Sequence, residues 1–105
     1  MKLGFVSDSL GSRSLDDLLD QAVRLGVDGV EVNAGGWSTA PHFDLQNLKT
    51  SPDERRVFTK AFADRGLEII SFNANGNPLH PTDQAQGECL KDTIRIAGEM
   101  GIRKI

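Results

Sequence analysis

Hydrophobic residues recur in three similar stretches of this sequence, and each stretch has the same order of features. An amphipathic helical pattern is followed by a glycine and then by a short apolar run, as in AVRLGVDGVEV, AFADRGLEIISF and AGEMGIRKI. The glycines are Gly26, Gly66 and Gly101, so the spacing is 40 and then 35 residues. A glycine at the end of a helix takes the left-handed conformation without the steric cost of a Cβ atom. The pattern therefore predicts repeated helix–strand units.

The starts of the helices are also marked in the sequence. Ser14 precedes an acidic first turn, and Ser51 is followed by Pro52 and, three residues after the serine, by Glu54. A serine N-cap, a proline at the first helical position and an early acidic residue all favour a helix N-terminus. A further strand precedes the first helix. The predicted strands are 2–7, 28–33 and 67–73, and the predicted helices are 15–25, 52–65 and 83–100.

Strands that alternate with helices of this length predict an α/β fold with a parallel sheet and right-handed crossovers. The last residues, 103–105, are expected to begin a fourth strand. A (β/α)₈ TIM barrel has about 250 residues. We therefore expect residues 1–105 to form the first three and a half (β/α) units of such a barrel, an incomplete domain. The alternative is a small open α/β sheet with a short last strand.

Ligand sites in parallel α/β folds lie at the carboxyl ends of the strands, in the loops that lead to the helices. These loops are long and polar here, whereas the helix-to-strand connections are minimal. Polar residues alternate near two strand ends: Glu31 and Asn33 in one strand, Ser71 and Asn73 in the next. Buried parallel strands normally carry apolar residues at such positions, and a buried carboxylate is costly unless it is paired. Glu31, Asn33 and Asn73 are therefore candidate substrate-binding residues.

The loops supply two further candidates for substrate binding, Trp37 and His80. Trp37 follows two glycines and is expected either to stack on a sugar or to cover the barrel mouth. His80 lies in a loop stiffened by two prolines, where an imidazole can act as a ligand or proton shuttle. Structural alternatives remain open: a buried salt bridge or a rim carboxylate facing water for Glu31, loop capping for the asparagines and simple exposure for His80. His42 lies in a looser loop, and Asn75 is interpreted as a turn residue.

The composition limits the classes of binding partner and the cellular compartment that we expect for this protein. The chain has 12 basic and 15 acidic residues and a net charge of −3, and its basic residues are scattered, which argues against nucleic acid. No apolar stretch approaches the roughly 20 residues of a membrane span. A single cysteine, Cys89, predicts a reducing compartment and hence the cytoplasm. Phosphate-binding glycine motifs, HExxH and paired CxxC motifs are absent.

Three segments together resemble the xylose isomerase-like TIM barrels, which include the sugar phosphate isomerases and epimerases and, more distantly, the endonuclease IV group. The segments are RLGVDGVEV, SPDERRVFTKAFADRGLEI and NGNPLHP, and the likeness covers essentially the whole chain. The resemblance implies a divalent metal at the barrel mouth, Mn²⁺, Mg²⁺, Co²⁺ or Zn²⁺, and a sugar or sugar phosphate as substrate. Glu31 matches a glutamate position at the barrel rim, and His80 matches a loop that lines the substrate pocket.

The resemblance also limits what this chain can do alone. The family's main metal ligands and catalytic glutamates come from later strands, so we assign no catalytic residue here and expect the isolated 105 residues to be inactive. In the endonuclease-like branch, a histidine in a comparable place to His80 can bind metal. Alternative functions are therefore a metal-dependent hydrolase or a small stand-alone α/β binding module. An open sheet edge and exposed apolar helix faces lead us to expect self-association.

Overall fold

The computed structural model describes residues 2–105 and contains a three-stranded parallel sheet with helices. A short 3₁₀ turn, Ser7–Leu10, follows the first strand. In chain order the elements are β1 (Gly4–Val6), α1 (Leu15–Leu25), β2 (Gly29–Gly35), α2 (Leu45–Thr50), α3 (Pro52–Ala63), β3 (Glu68–Ala74) and α4 (Ala85–Met100). The predicted α/β class and parallel sheet are confirmed.

The strands follow one another across the sheet in sequence order, β1-β2-β3, and both neighbouring pairs are parallel. Alternate residues of β2, among them Val30 and Val32, are fully buried against the helices. The long helices α1, α3 and α4 contribute buried residues to this same hydrophobic cluster, for example Leu18, Phe62 and Ile96. Because a strand directs successive side chains to opposite faces, Glu31 and Asn33 lie on the face away from that cluster. The sheet therefore has one apolar, helix-covered face and one face with polar residues.

The expected caps form as the sequence indicates. The Ser14 Oγ accepts a hydrogen bond from the Asp17 backbone N–H at 3.2 Å, and the Ser51 Oγ accepts one from the Glu54 N–H at 3.2 Å. Gly26, Gly66 and Gly101 have φ angles of 73°, 67° and 74°, which confirms their left-handed conformation. These local signals are strong because each satisfies a backbone group that the helix end leaves unpaired.

The segment 34–50, which lies between the predicted second strand and second helix, is not all loop, because its last six residues form α2. The Asp44 side chain caps this helix by accepting from the Asn47 N–H at 3.1 Å, and Leu48 is buried. Ser51 ends α2 and begins α3, and its own N–H donates to the Asn47 carbonyl. Smaller differences are a β2 that extends to Gly35 and an α4 that begins at Ala85 rather than at 83.

Four phenylalanines form an aromatic cluster beneath the second strand-to-helix loop. The Phe43 ring lies 5.0 Å from the Phe72 ring and 5.6 Å from the Phe58 ring, both in edge-to-face geometry. Phe58 in turn lies 5.2 Å from Phe62. Edge-to-face pairs at such distances are favourable beyond the area they bury. Phe43 therefore anchors the loop after β2 to the core.

The segment after α4 returns to the sheet next to β3. The Phe72 N–H donates a hydrogen bond to the Lys104 carbonyl at 3.1 Å. This bond brings residues 102–105 alongside the edge of β3 that β2 does not occupy. None of the helices among residues 2–105 combines the length and the apolar character that a membrane-spanning helix requires.

Candidate functional site at the carboxyl ends of the strands

Glu31 is the central residue of a hydrogen-bonded network on the polar face of the sheet. Its Oε2 accepts from the Ser71 hydroxyl at 2.8 Å, and its Oε1 accepts from the Asn73 side-chain amide at 3.1 Å. Glu31 and Ser71 are direct partners in the parallel register, so the strand pairing itself sets this contact. The carboxylate is half-buried, and two donors compensate part of its lost hydration.

A carboxylate has about four lone-pair positions for hydrogen bonds, and the two donors of β3 occupy two of them. The other two are free to accept from hydroxyl groups of a ligand. Two fixed donors also restrict the rotamers of Glu31, so the carboxylate is held in one orientation before any ligand arrives. Neutral donors, rather than the salt bridge considered as an alternative for Glu31, therefore compensate this carboxylate.

Asn33 lies one side-chain position further along the same face of β2, next to Asn73 in register. It is 3% exposed, and its backbone N–H donates to the buried Ser7 hydroxyl at 2.9 Å. Its side-chain oxygen accepts from the Asn75 amide at 3.4 Å. Glu31, Asn33 and Asn73 are thus brought together as the alternation of polar residues predicts.

Asn75, which is interpreted from the sequence as a turn residue, also joins two loops in the structure. Its Oδ1 accepts from the backbone N–H groups of Trp37 and Ser38, both at 3.0 Å, and so binds the loop after β2 to the loop after β3. The Ser38 hydroxyl donates to Asp8 Oδ2 at 2.6 Å, which adds the loop after β1. Trp37 itself is 74% exposed. Trp37 therefore has a fixed backbone and a free ring.

His80 does not contact the Glu31 network and instead organises its own loop. Its Nδ1 accepts from the backbone N–H groups of Thr82 at 3.2 Å and Asp83 at 2.8 Å, just before α4. An accepting Nδ1 carries no proton, so the neutral ring has its proton on Nε2. Asp83 Oδ2 accepts from the Gln86 side chain at 3.1 Å, and this bond, with the Ala85 N–H and the nearby His80, holds the pKa of Asp83 below its ordinary value.

His42 lies in a more ordered place than its loop sequence suggests. It is 6% exposed, and its Nε2 lies 2.7 Å from the Arg13 carbonyl, so Nε2 carries the proton because a carbonyl can only accept. Its Nδ1 has no hydrogen-bond partner among residues 2–105. An open cleft of about 760 Å³ between α1 and α3 is lined by His42, Phe43 and Phe58, but not by Glu31 or Asn73. The cleft therefore does not include the Glu31 network, although it reaches Gly35 and Ser38 at the end of β2.

The donor set in this chain does not fit a complete metal centre. Among residues 2–105, no group of three or more His, Cys, Asp and Glu side chains is close enough to hold a metal ion. Glu31 offers a single carboxylate, and His80 uses its unprotonated nitrogen to accept backbone hydrogen bonds. A metal bound at these strand ends would therefore need further ligands from outside the described residues.

Sequence reasoning missed Ser7 and Ser38 and gave Asn75 only a local role. Ser7 is 1% exposed and contacts β2, and Ser38 joins two loops. Ser7 follows directly after β1, at the same edge of the sheet as the other polar strand ends, and this position could have identified it as a site residue. Ser38 and Asn75 depend on loop conformations that no spacing rule reveals.

Comparison with known proteins adds one relative. No protein-family model matches the chain. The chain is 37% identical over 107 residues to an uncharacterized protein named YfiH from Bacillus subtilis (strain 168), and the alignment covers the whole of this chain and 34% of the relative. The chain thus spans about a third of the length of this curated relative. The name of this relative assigns it no activity.

Proposed function

We propose that this chain is the amino-terminal part of a xylose isomerase-like (β/α)₈ barrel, and that the whole protein is a metal-dependent sugar or sugar phosphate isomerase or epimerase. In this proposal the protein moves a proton next to a carbonyl. Glu31, Trp37, Asn73 and His80 bind the substrate directly, and the buried Asn33 contributes through its hydrogen bond to Asn75. The metal ligands and the acid and base come from later strands. The observation that carries the proposal is the Glu31 carboxylate held by Ser71 and Asn73 at the strand ends.

The sheet geometry supports the barrel. Sequential parallel strands with helices over one face are the arrangement of a (β/α) barrel, whereas a doubly wound sheet reverses its strand order and places helices on both faces. The hydrogen bond from Phe72 to Lys104 fits a fourth strand that adds to β3. The relative, about three times as long, leaves room for the remaining units.

The polar face supports a polyhydroxylated substrate. Sugars present many hydroxyl donors and acceptors, and a site that recognises them needs fixed polar groups at defined positions. The free lone pairs of Glu31 accept hydroxyl hydrogens, and the amide of Asn73 donates and accepts beside them. The buried Asn33 amide holds Asn75 in place. The position of this network at the carboxyl ends of the strands is where barrel enzymes bind substrates.

The protonation of His80 favours the isomerase over the endonuclease-like hydrolase. A histidine binds metal through an unprotonated nitrogen. In His80 that nitrogen, Nδ1, accepts two backbone N–H groups before α4, and Nε2 carries the proton. Metal binding by His80 requires loss of these hydrogen bonds, whereas donation from Nε2 to a substrate oxygen does not.

The test is a solvent-exchange assay on the complete reading frame that contains this chain. With Mn²⁺ present, the protein is incubated in D₂O with a panel of aldoses, ketoses and their phosphates, and deuterium next to the carbonyl is detected by NMR. We expect exchange for at least one sugar. A lack of exchange together with metal-dependent phosphodiester cleavage would support the hydrolase instead.

A pair of variants tests the role of Glu31. Glu31→Gln removes the charge that strengthens hydrogen bonds to the substrate, so we expect kcat/KM to fall about 10- to 150-fold, as for one lost charged hydrogen bond. Glu54→Gln, an exposed carboxylate on α3, is the matched control and should leave kcat/KM unchanged. Equal activities of the two variants would contradict the assignment. The isolated 105 residues are expected to give no exchange.

A further inference from the structure

Trp37 combines an exposed ring with an unusually well-fixed backbone. It is the only tryptophan of the chain, and it is 74% exposed. Its N–H lies 3.2 Å from the Asn75 carbonyl oxygen and 3.0 Å from Asn75 Oδ1. The next N–H, that of Ser38, donates to the same Oδ1 at 3.0 Å. One asparagine therefore holds two successive residues of the neighbouring loop.

Gly36 makes this contact sterically feasible. Its φ angle is 84°, and a Cβ atom on it would lie 1.4 Å from the Asn75 carbonyl oxygen. A backbone approach this close excludes every side chain, so only glycine can occupy the position. The glycine before Trp37 therefore lets the two loops meet at van der Waals distance.

Each side of the contact is anchored to a separate element. Ser38 donates to Asp8 in the loop after β1. The Asn75 amide donates to Asn33 of β2, and the Asn77 N–H donates to the Gln86 side chain of α4. Because both loops are tied to the scaffold, the bond between them fixes the position of Trp37 relative to the strand ends.

We propose that Asn75 is a positioning residue that, with Gly36, holds Trp37 as a stacking platform for the apolar face of a sugar ring. The identity of the ligand rests on the proposed function, but the positioning does not. The C–H face of a pyranose matches the flat, electron-rich face of an indole ring. Because Trp37 is already positioned in the free protein, less conformational entropy of its loop is lost when a ligand binds.

Amide hydrogen exchange tests the positioning on the chain itself. In Asn75→Ala the Ser38 N–H loses its acceptor, and its exchange should accelerate about 2- to 12-fold, as for one lost neutral hydrogen bond. Asn75→Asp keeps the accepting oxygen and should restore protection. Asn77→Ala, which removes a side-chain acceptor of the same loop that bonds Leu79 instead, is the matched control. Unchanged exchange in Asn75→Ala, or equal acceleration in Asn77→Ala, would overturn the proposal.

Trp37 fluorescence tests the platform, because the chain has no other tryptophan and no tyrosine. Methyl β-D-glucopyranoside, whose ring cannot open, is the probe, and glycerol at equal concentration is the control. We expect the glycoside alone to change the emission, with a weaker response in Asn75→Ala and a normal one in Asn77→Ala. An equal response in Asn75→Ala overturns the positioning role, and no response overturns the sugar platform. The proposed isomerase fails separately, through the deuterium assay.

Discussion

Replacement of Phe43 tests whether the loop after β2 is part of the core. Phe43 is 6% exposed and packs edge-to-face on Phe58 and Phe72. Phe-to-Ala substitutions in cores cost about 3–5 kcal/mol, because apolar area and packing contacts are both lost. Folded domains in general have a total stability of about 5–15 kcal/mol. Phe43→Ala is therefore expected to remove a large part of the free energy of unfolding.

Urea unfolding measures this loss. Far-UV circular dichroism is the appropriate signal, because the one tryptophan is exposed and reports poorly on the core. With a slope of about 1.5 kcal/mol per molar urea, a loss of about 3–5 kcal/mol lowers the midpoint by about 2–3 M. Phe43→Leu keeps much of the buried volume and is expected to lie between the wild type and Phe43→Ala.

Leu79→Ala is the matched control for the Phe43 variants. Leu79 also lies in a strand-to-helix loop but is 87% exposed, so its loss should change stability by no more than about 0.5 kcal/mol. A Phe43→Ala midpoint within about 0.5 M of the Leu79→Ala midpoint, at equal slopes, would show that Phe43 contributes no more to stability than an exposed loop residue. The segment before α2 would then not be docked on the aromatic cluster.

Three further predictions concern the sheet, the polar face and the start of α4. Gly29→Ala places a Cβ 2.4 Å from the Glu68 carbonyl oxygen and should lower the free energy of unfolding, measured in urea, by about 1–3 kcal/mol. The control is Gly98→Ala on α4, where a Cβ meets open space, and it should raise the free energy of unfolding by about 0.5–1 kcal/mol. The reverse order of stabilities would contradict the strand packing. Ser71→Ala removes a donor to the charged Glu31 and should lower the free energy of unfolding by about 1.5–3 kcal/mol, and a loss below about 0.5 kcal/mol would show that this hydrogen bond is not maintained. The pKa of Asp83 is below its ordinary 3.8, so its ionised form stabilises the fold above that pH. This contribution is lost as the pH falls through the lowered pKa. A carboxyl-carbon NMR titration of Asp83 with a midpoint at or above 3.8 would contradict this prediction.

The main elements of this fold could be predicted because their signals are local. The bounds of α1, the Ser14 and Ser51 caps and the left-handed glycines follow from backbone groups satisfied within a few residues. The pairing of Glu31 with Asn73 could also be expected, because parallel strand ends meet at one edge and side chains alternate between faces.

The loops were harder to predict because their order depends on distant contacts. α2 has six residues and is stabilised by burial of Leu48 in the core rather than by a periodic pattern of its own. The role of Asn75 depends on how close Gly36 approaches it across two loops, which spacing along the chain does not encode. The His80 ring accepts hydrogen bonds from backbone N–H groups of its own loop, and the sequence around His80 does not predict these bonds.

The most direct test of the central claim is to sequence the gene beyond the codon for Ile105. We predict that the reading frame continues through four or five more βα units, with Glu, Asp or His residues at the later strand ends to complete a metal site. A continuation without such residues would contradict the metal-dependent enzyme, and a stop codon immediately after Ile105 would contradict the barrel itself.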